Sequence, residues 1–102
     1  MPDDNQHKNL EWEYGVVDLA DNSTTVSSNP AILKAVYVNT VLSAQVCLIK
    51  DDTTTVFTIP AGSCAGDKYD FEETRFITSL VVDPDDAATG NITLMYKRLG
   101  FV

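Results

Sequence analysis

The stretch AILKAVYVNTVLSAQVCLIKDDTTTVFTI, residues 31–59, decides how the chain is read. It divides into three runs, 31–38, 45–50 and 55–59, rich in β-branched and aromatic side chains that suit a pleated, half-buried surface better than a helix. In the first run Leu33, Ala35 and Tyr37 alternate with Ile32, Lys34, Val36 and Val38, a period of two and not 3.6. Strict alternation places these two sets on opposite faces of a strand. Between the second and third runs, Asp51, Asp52, Thr53 and Thr54 are the residue types whose side chains hydrogen-bond their own backbone in turns. Residues 45–59 therefore read as a β-hairpin, the best-defined element of the chain.

Towards the N-terminus, Trp12, Tyr14 and Val16 alternate with Glu11, Glu13 and Gly15, which predicts a half-buried strand running to about Leu19. Two roles are open for Trp12 and Tyr14: packing into the core, or anchoring in a neighbouring subunit. Residues 1–10 are polar with almost nothing to bury, so they are expected to form a flexible arm ahead of a domain spanning 11–102. Residues 21–29 form a Ser/Thr/Asn-rich loop in which 24–27 suit a short edge strand, and Pro30 cannot donate into a ladder. Residues 39–44 connect the first run to the hairpin, with Val41 and Leu42 expected to pack inward.

Beyond the hairpin, Pro60, Gly62 and Gly66 mark a loop over 61–67. Tyr69 and Phe71, then Phe76, Ile77, Leu80, Val81 and Val82, supply two more strands, and Ile92, Leu94 and Tyr96 form one face of a last strand with Thr93, Met95 and Lys97 on the other. Glu72 and Glu73 suit the opening of a helical turn, which Thr74 and Thr78 do not extend. The count is seven or eight short, mainly antiparallel strands with no long helix and no internal repeat. That pattern predicts an all-β fold, a single β-sandwich of jelly-roll type.

A chain of 102 residues with 44% hydrophobic content supports one compact core. Seven basic residues against fifteen acidic ones give a net charge of −8. Binding to DNA or RNA through counterion release requires clusters of Lys and Arg, so no nucleic-acid partner is expected, and the same balance argues against anionic membrane surfaces. No segment approaches the roughly 20 consecutive apolar residues of a membrane-spanning helix. The polar N-terminus lacks the pattern of a secretory signal, which suggests synthesis and retention in a cytoplasm. Cys47 and Cys64, one in a strand and one in a Gly-rich loop, are expected to be buried free thiols and not a disulfide.

Catalytic patterns are sparse. The one His, His7, lies in the arm, and with two distant cysteines it makes neither a zinc site nor a Ser-His-acid triad, nor does it supply a base for either thiol. The carboxylate pairs Asp51/Asp52, Glu72/Glu73 and Asp85/Asp86 are adjacent in sequence, so in strands they diverge to opposite faces and in turns they meet water. The acidic turn at 83–86 offers hard oxygen ligands suited to calcium, but lacks the Gly and Glu of an EF-hand loop. Gly62 and Gly66 lack the Lys and Ser/Thr of a phosphate loop. Two glycosylation sequons, at Asn22 and Asn91, carry weight only on a secretory route. The chain is therefore expected to be no enzyme and to need no cofactor or metal.

The order of strands and turns, through Ala31 to Thr40, Val56 to Gly62, Gly66 to Phe71 and Ala88 to Tyr96, resembles small β-sandwich virion proteins of tailed bacteriophages, over about residues 14–97. The resemblance implies a jelly-roll-like capsid decoration or cement subunit, commonly a homotrimer, that clamps major capsid proteins in the virion. Tail or fibre modules that bind a host carbohydrate are the alternative it leaves. As partner-binding residues it suggests Trp12 and Tyr14 beside the arm, and Phe101 in the apolar C-terminal Leu99-Gly100-Phe101-Val102. Phe101 is equally suited to completing its own core.

Overall fold

The computed structural model describes residues 12–99, which contain eight strands and no helix. These are β1 (Glu13–Asp18), β2 (Thr24–Ser27), β3 (Ala31–Val38), β4 (Cys47–Asp51), β5 (Thr54–Ile59), β6 (Lys68–Phe76), β7 (Leu80–Pro84) and β8 (Asn91–Arg98). Every pairing is antiparallel, in two four-stranded sheets ordered β1-β8-β3-β6 and β2-β7-β4-β5.

The topology grows from the hairpin at 45–59. With β4 paired to β5, β7 pairs with β2, β6 with β3 and β8 with β1, so the chain is one long hairpin whose paired arms wind around its tip. That is the strand order of a jelly roll. Phe57 of β5 joins the sheets along one side, with its ring centroid 5.6 Å from that of Tyr69 and 5.2 Å from that of Phe71 on β6. Along the other side Gly15 of β1 faces Val26 of β2.

The core between the sheets includes Val17, Leu33, Val36, Ile49, Ile59, Phe76, Leu80, Val82, Ile92 and Leu94. Burying each such side chain contributes about 1.5–3 kcal/mol before the entropy of ordering it is subtracted. One end of the sandwich is closed by loops that hydrogen-bond to one another. Leu42 N–H donates to Ser63 O, Gly62 N–H to Ser43 O and Leu19 N–H to Gly90 O, each at 2.8 Å. Ser63 is buried there; its hydroxyl donates to Pro60 O at 2.9 Å and accepts from the Tyr69 hydroxyl at 2.6 Å. The opposite end holds the short turns, and both Trp12 and Leu99 lie there, the latter donating its N–H to Pro30 O at 2.7 Å.

The facing of side chains departs from the sequence reading in β3, β1 and β6. In β3 the register shifts between Leu33 and Ala35: against β8 these residues oppose the adjacent Tyr96 and Met95, a β-bulge that inserts one residue into β3, whereas against β6 they oppose Thr74 and Asp70, so the extra residues there belong to β6. Ala31, Leu33, Val36 and Val38 therefore line the core, while Tyr37 faces outward with Ile32 and Lys34. In β1 the large residues Tyr14 and Val16 point away from the core, and Gly15 and Val17 point into it. Tyr96 leaves little space there: a Cβ on Gly15 would lie 3.3 Å from its ring, so the inward position opposite that ring is tight for anything larger than glycine. Glu72 and Glu73 open no helical turn; both take positive φ (51° and 62°) at an irregularity inside β6. Val41 is exposed while its neighbour Leu42 is buried, and Cys64 is exposed, unlike the buried Cys47.

Candidate protein-contact face

The outward side of the β1-β8-β3-β6 sheet gathers most of the residues of interest. Register sets them in three cross-strand rows. Lys97, Ile32 and Arg75 form the first, with Trp12 just ahead of β1 at its end; Tyr14, Met95, Ala35 and Asp70 form the second; Val16, Thr93, Tyr37 and Lys68 form the third. Tyr14 and Val16 are 66% and 69% exposed and stand side by side on β1. Other large exposed apolar residues, such as Val41, Val56 and Ile77, lie scattered, as is common on protein surfaces. Tyr37 donates its hydroxyl to Met95 Sδ at 3.9 Å, and Asn39 Nδ2 donates to Thr93 Oγ1 at 2.8 Å, which ties neighbouring rows together.

This face holds most of the described basic residues, beside the carboxylates Asp18, Asp70 and Glu73. Of the six described basic residues, Lys34, Lys68, Arg75 and Lys97 all lie here. The other two are engaged elsewhere: Lys50 with Asp83 at 2.7 Å, and Arg98 with Glu13 through two hydrogen bonds of 2.8 and 3.0 Å that raise the Arg98 pKa. Lys97 and Lys34 hold their ammonium groups 4.4 and 5.2 Å from the centroid of the Trp12 ring, and Lys68 stands 5.7 Å from that of Tyr37. Such contacts contribute about 0.5–1 kcal/mol at exposed sites and keep the charge at the surface. Lys34 also meets Glu73 at 3.6 Å, a solvated pair of small energetic weight.

Trp12 and Tyr14 are thus brought together on one outward face, and the core role suggested for them is overturned: Trp12 is half-buried against lysines and Tyr14 is open. Residues 1–10 and Phe101 lie outside the described residues. Sequence reasoning missed the convergence of the four cations. The alternation of Thr93, Met95 and Lys97 away from Ile92 carried part of the signal, but the β3 bulge hid the rest.

The remaining chemical candidates are occupied by structure. Asp51 accepts backbone N–H bonds from Ile77 (2.8 Å), Thr78 (3.0 Å) and Ser79 (3.2 Å). Slight desolvation pushes its carboxyl up, and the three N–H donors outweigh this and hold it below the ordinary value. Burial, and after it the charge of Asp83, pushes the Cys47 thiol up to about 12, so it is no nucleophile near neutrality. Val46, Leu48, Asp83, Pro84, Asp85 and Asp86 line an open depression of about 360 Å³. Among the described residues no group of three or more His, Cys, Asp or Glu side chains is placed to hold a metal ion. Compared with family models, with curated proteins and with solved structures, the chain matches none.

Proposed function

We propose that this chain is a non-enzymatic structural subunit of a tailed-bacteriophage virion, a capsid decoration or cement protein that stabilises the head by binding major capsid proteins after synthesis in the host cytoplasm. The observation that carries the reading is the outward row of Trp12, Tyr14 and Val16 on an open sheet face. A soluble domain gains nothing by turning such residues to water; a subunit that contacts another protein does. The jelly roll, a fold shared by viral capsid proteins and lectins, adds support by analogy alone. The test is co-sedimentation with tailed-phage capsids freed of their own decoration protein. Binding should saturate at a fixed ratio to the major capsid protein, and deleting residues 1–10 should weaken it while leaving the thermal transition nearly unchanged.

One observation favours the second reading, a tail or fibre module for host carbohydrate: the Tyr14 ring is exposed on an outward sheet face, opposite Met95, where a sugar could stack on it. The other two rings of that face already carry ammonium groups, which leaves a single stacking platform. Glycan-array binding at physiological salt that is lost on Tyr14→Ser would select this reading over decoration.

A further inference from the structure

We infer that two copies of this chain pair edge to edge through β1 about a two-fold axis, joining their β1-β8-β3-β6 sheets into one continuous sheet. The inference goes beyond the decoration reading and does not rest on it, because pairing at the edge leaves the outward face open. The two four-stranded sheets have four edge strands, β1, β6, β2 and β5. Unpaired strand edges invite further pairing, and folded proteins blunt them with bulges, short strands, Pro or Lys. Three of these edges are blunted. β2 has four residues and a register shift between Thr25 and Ser27. In β5, Thr55 and Phe57 oppose the adjacent Lys50 and Ile49, so Val56 is an extra residue. β6 is interrupted between Asp70 and Thr74, where Glu72 and Glu73 take positive φ. By contrast β1 runs through six consecutive pairs with β8 without a shift, and it contains neither Pro nor Lys.

The ladder identifies which backbone groups face away from β8. Leu19 N–H donates to Gly90 O at 2.8 Å, one step beyond the Asp18/Asn91 pair in the same register. Bonded and non-bonded pairs alternate along an antiparallel ladder, so Val17 and Gly15 turn their N–H and C=O groups to β8, and Val16 and Tyr14 turn theirs to the free side. Asp18 points the same way, and its carbonyl accepts from Asp21 N–H at 3.1 Å. Such a row is matched by another extended backbone.

The free edge of β1 is matched to itself. With Gly15 antiparallel to Gly15 of the second copy, Tyr14 lies opposite the second copy's Val16, and Val16 opposite its Tyr14. These are the residues whose backbone groups face the edge, so each pair exchanges both of its N–H···O bonds. Their side chains, 66% and 69% exposed, meet on the outward face as an aromatic and a β-branched residue, a favourable cross-strand combination. No two carboxylates come opposite each other: Glu13 opposes Val17, and Asp18 opposes Trp12. The register that opposes Val16 to Val16 would pair Tyr14 with Asp18, whose carbonyl the turn already holds. The one that opposes Tyr14 to Tyr14 reaches past the strand to Trp12. A two-fold axis uses the same edge on both copies, so the pairing closes at two.

The test is solution mass by light scattering over a concentration series, together with amide hydrogen exchange read residue by residue. The full chain should rise from 11.2 kDa to twice that mass and go no further. The Tyr14 and Val16 amides should exchange freely when dilute and become protected in the pair, whereas those of Gly15 and Val17 are protected in both states. Val16→Pro removes an N–H that points away from the ladder, where an edge strand tolerates proline, and should raise the dissociation constant more than about tenfold while thermal unfolding stays cooperative. Val16→Lys keeps the backbone intact and places a charge on the edge; it should weaken pairing likewise, and it carries the test if the proline variant does not fold. A mass that stays at 11.2 kDa or settles at three copies overturns the inference, as does a pair whose Tyr14 and Val16 amides exchange as freely as in the dilute protein. Protection of those amides only when capsids are added would assign the edge to a capsid strand and overturn it as well.

Discussion

Lys97 holds its ammonium 4.4 Å from the centroid of the Trp12 ring, and Lys34 approaches the same ring at 5.2 Å. Trp12 is the single tryptophan of the chain, so its emission reports on this cluster alone. Lys97→Met keeps the apolar stem but removes the charge. It should change the emission intensity or maximum while costing at most about 1 kcal/mol of stability by urea unfolding. An unchanged spectrum would contradict the contact.

Gly90 has φ of +103°, and a Cβ there would lie 2.8 Å from Leu42 Cδ2 and 2.9 Å from the Val41 carbonyl oxygen. The second of these is backbone and cannot swing aside. Gly90→Ala should cost about 2–4 kcal/mol, from left-handed strain together with overpacking. Gly62→Ala, at φ of +72° in open space, should cost about 1–2 kcal/mol, the strain alone. Chemical denaturation of the two variants checks the order, and equal losses would place the clash elsewhere.

Asp51 ties the β4–β5 turn to residues 77–79 through three backbone N–H donors. Its carboxyl titrates lower in the folded chain than in the unfolded one, whose value is about 3.9. The unfolded state therefore takes up the proton first as pH falls. The stabilisation is complete above the unfolded value and disappears as pH drops through the folded one. Asp51→Ala should cost about 1–2 kcal/mol at neutral pH, measured by urea unfolding, and its stability should fall less steeply than that of wild type below about pH 4. Parallel acid profiles would show that the three hydrogen bonds carry no charge-dependent stability.

The two thiols should separate kinetically. Cys47 is fully buried beneath the β4–β7 pairing and Cys64 is exposed. A thiol reagent at neutral pH should label one cysteine rapidly in the folded protein and two after unfolding, and Cys64→Ser should abolish the rapid phase. Because the Cys47 pKa rises from the ordinary 9.0 to about 12 on folding, the unfolded chain loses its proton first, and stability should decline as pH climbs across that interval. Rapid labelling of both thiols would contradict the packing of Cys47.

Much of the architecture was legible where local chemistry and pattern agree. The bounds of β2 and β3, the β4–β5 hairpin and the inward row Ile92, Leu94 and Tyr96 follow from alternation and turn residues. The failures have one physical origin, that a strand's facing depends on neighbours distant in sequence. The bulge after Leu33 inverts the second half of β3, and only the registers of β6 and β8 reveal it. The outward turn of Tyr14 goes with Gly15 packed under the Tyr96 ring, eighty-one positions away in the chain. The pair Trp12 and Tyr14 was legible as a candidate anchor because aromatic residues follow directly on a polar segment. The cations that share their face were not, since Lys34, Lys68, Arg75 and Lys97 come to one face only when β3, β6 and β8 are in register.

The central claim is that this protein acts by contact through the outward face of the β1-β8-β3-β6 sheet. Hydroxyl-radical footprinting of the dilute and the assembled protein tests it most directly, with mass spectrometry reading each side chain. Tyr14, Val16 and Met95 should become protected on assembly while Ile77, exposed at the opposite end of β6 from Lys68, keeps its labelling. Unchanged labelling of Tyr14 and Val16 in an assembled state would contradict it.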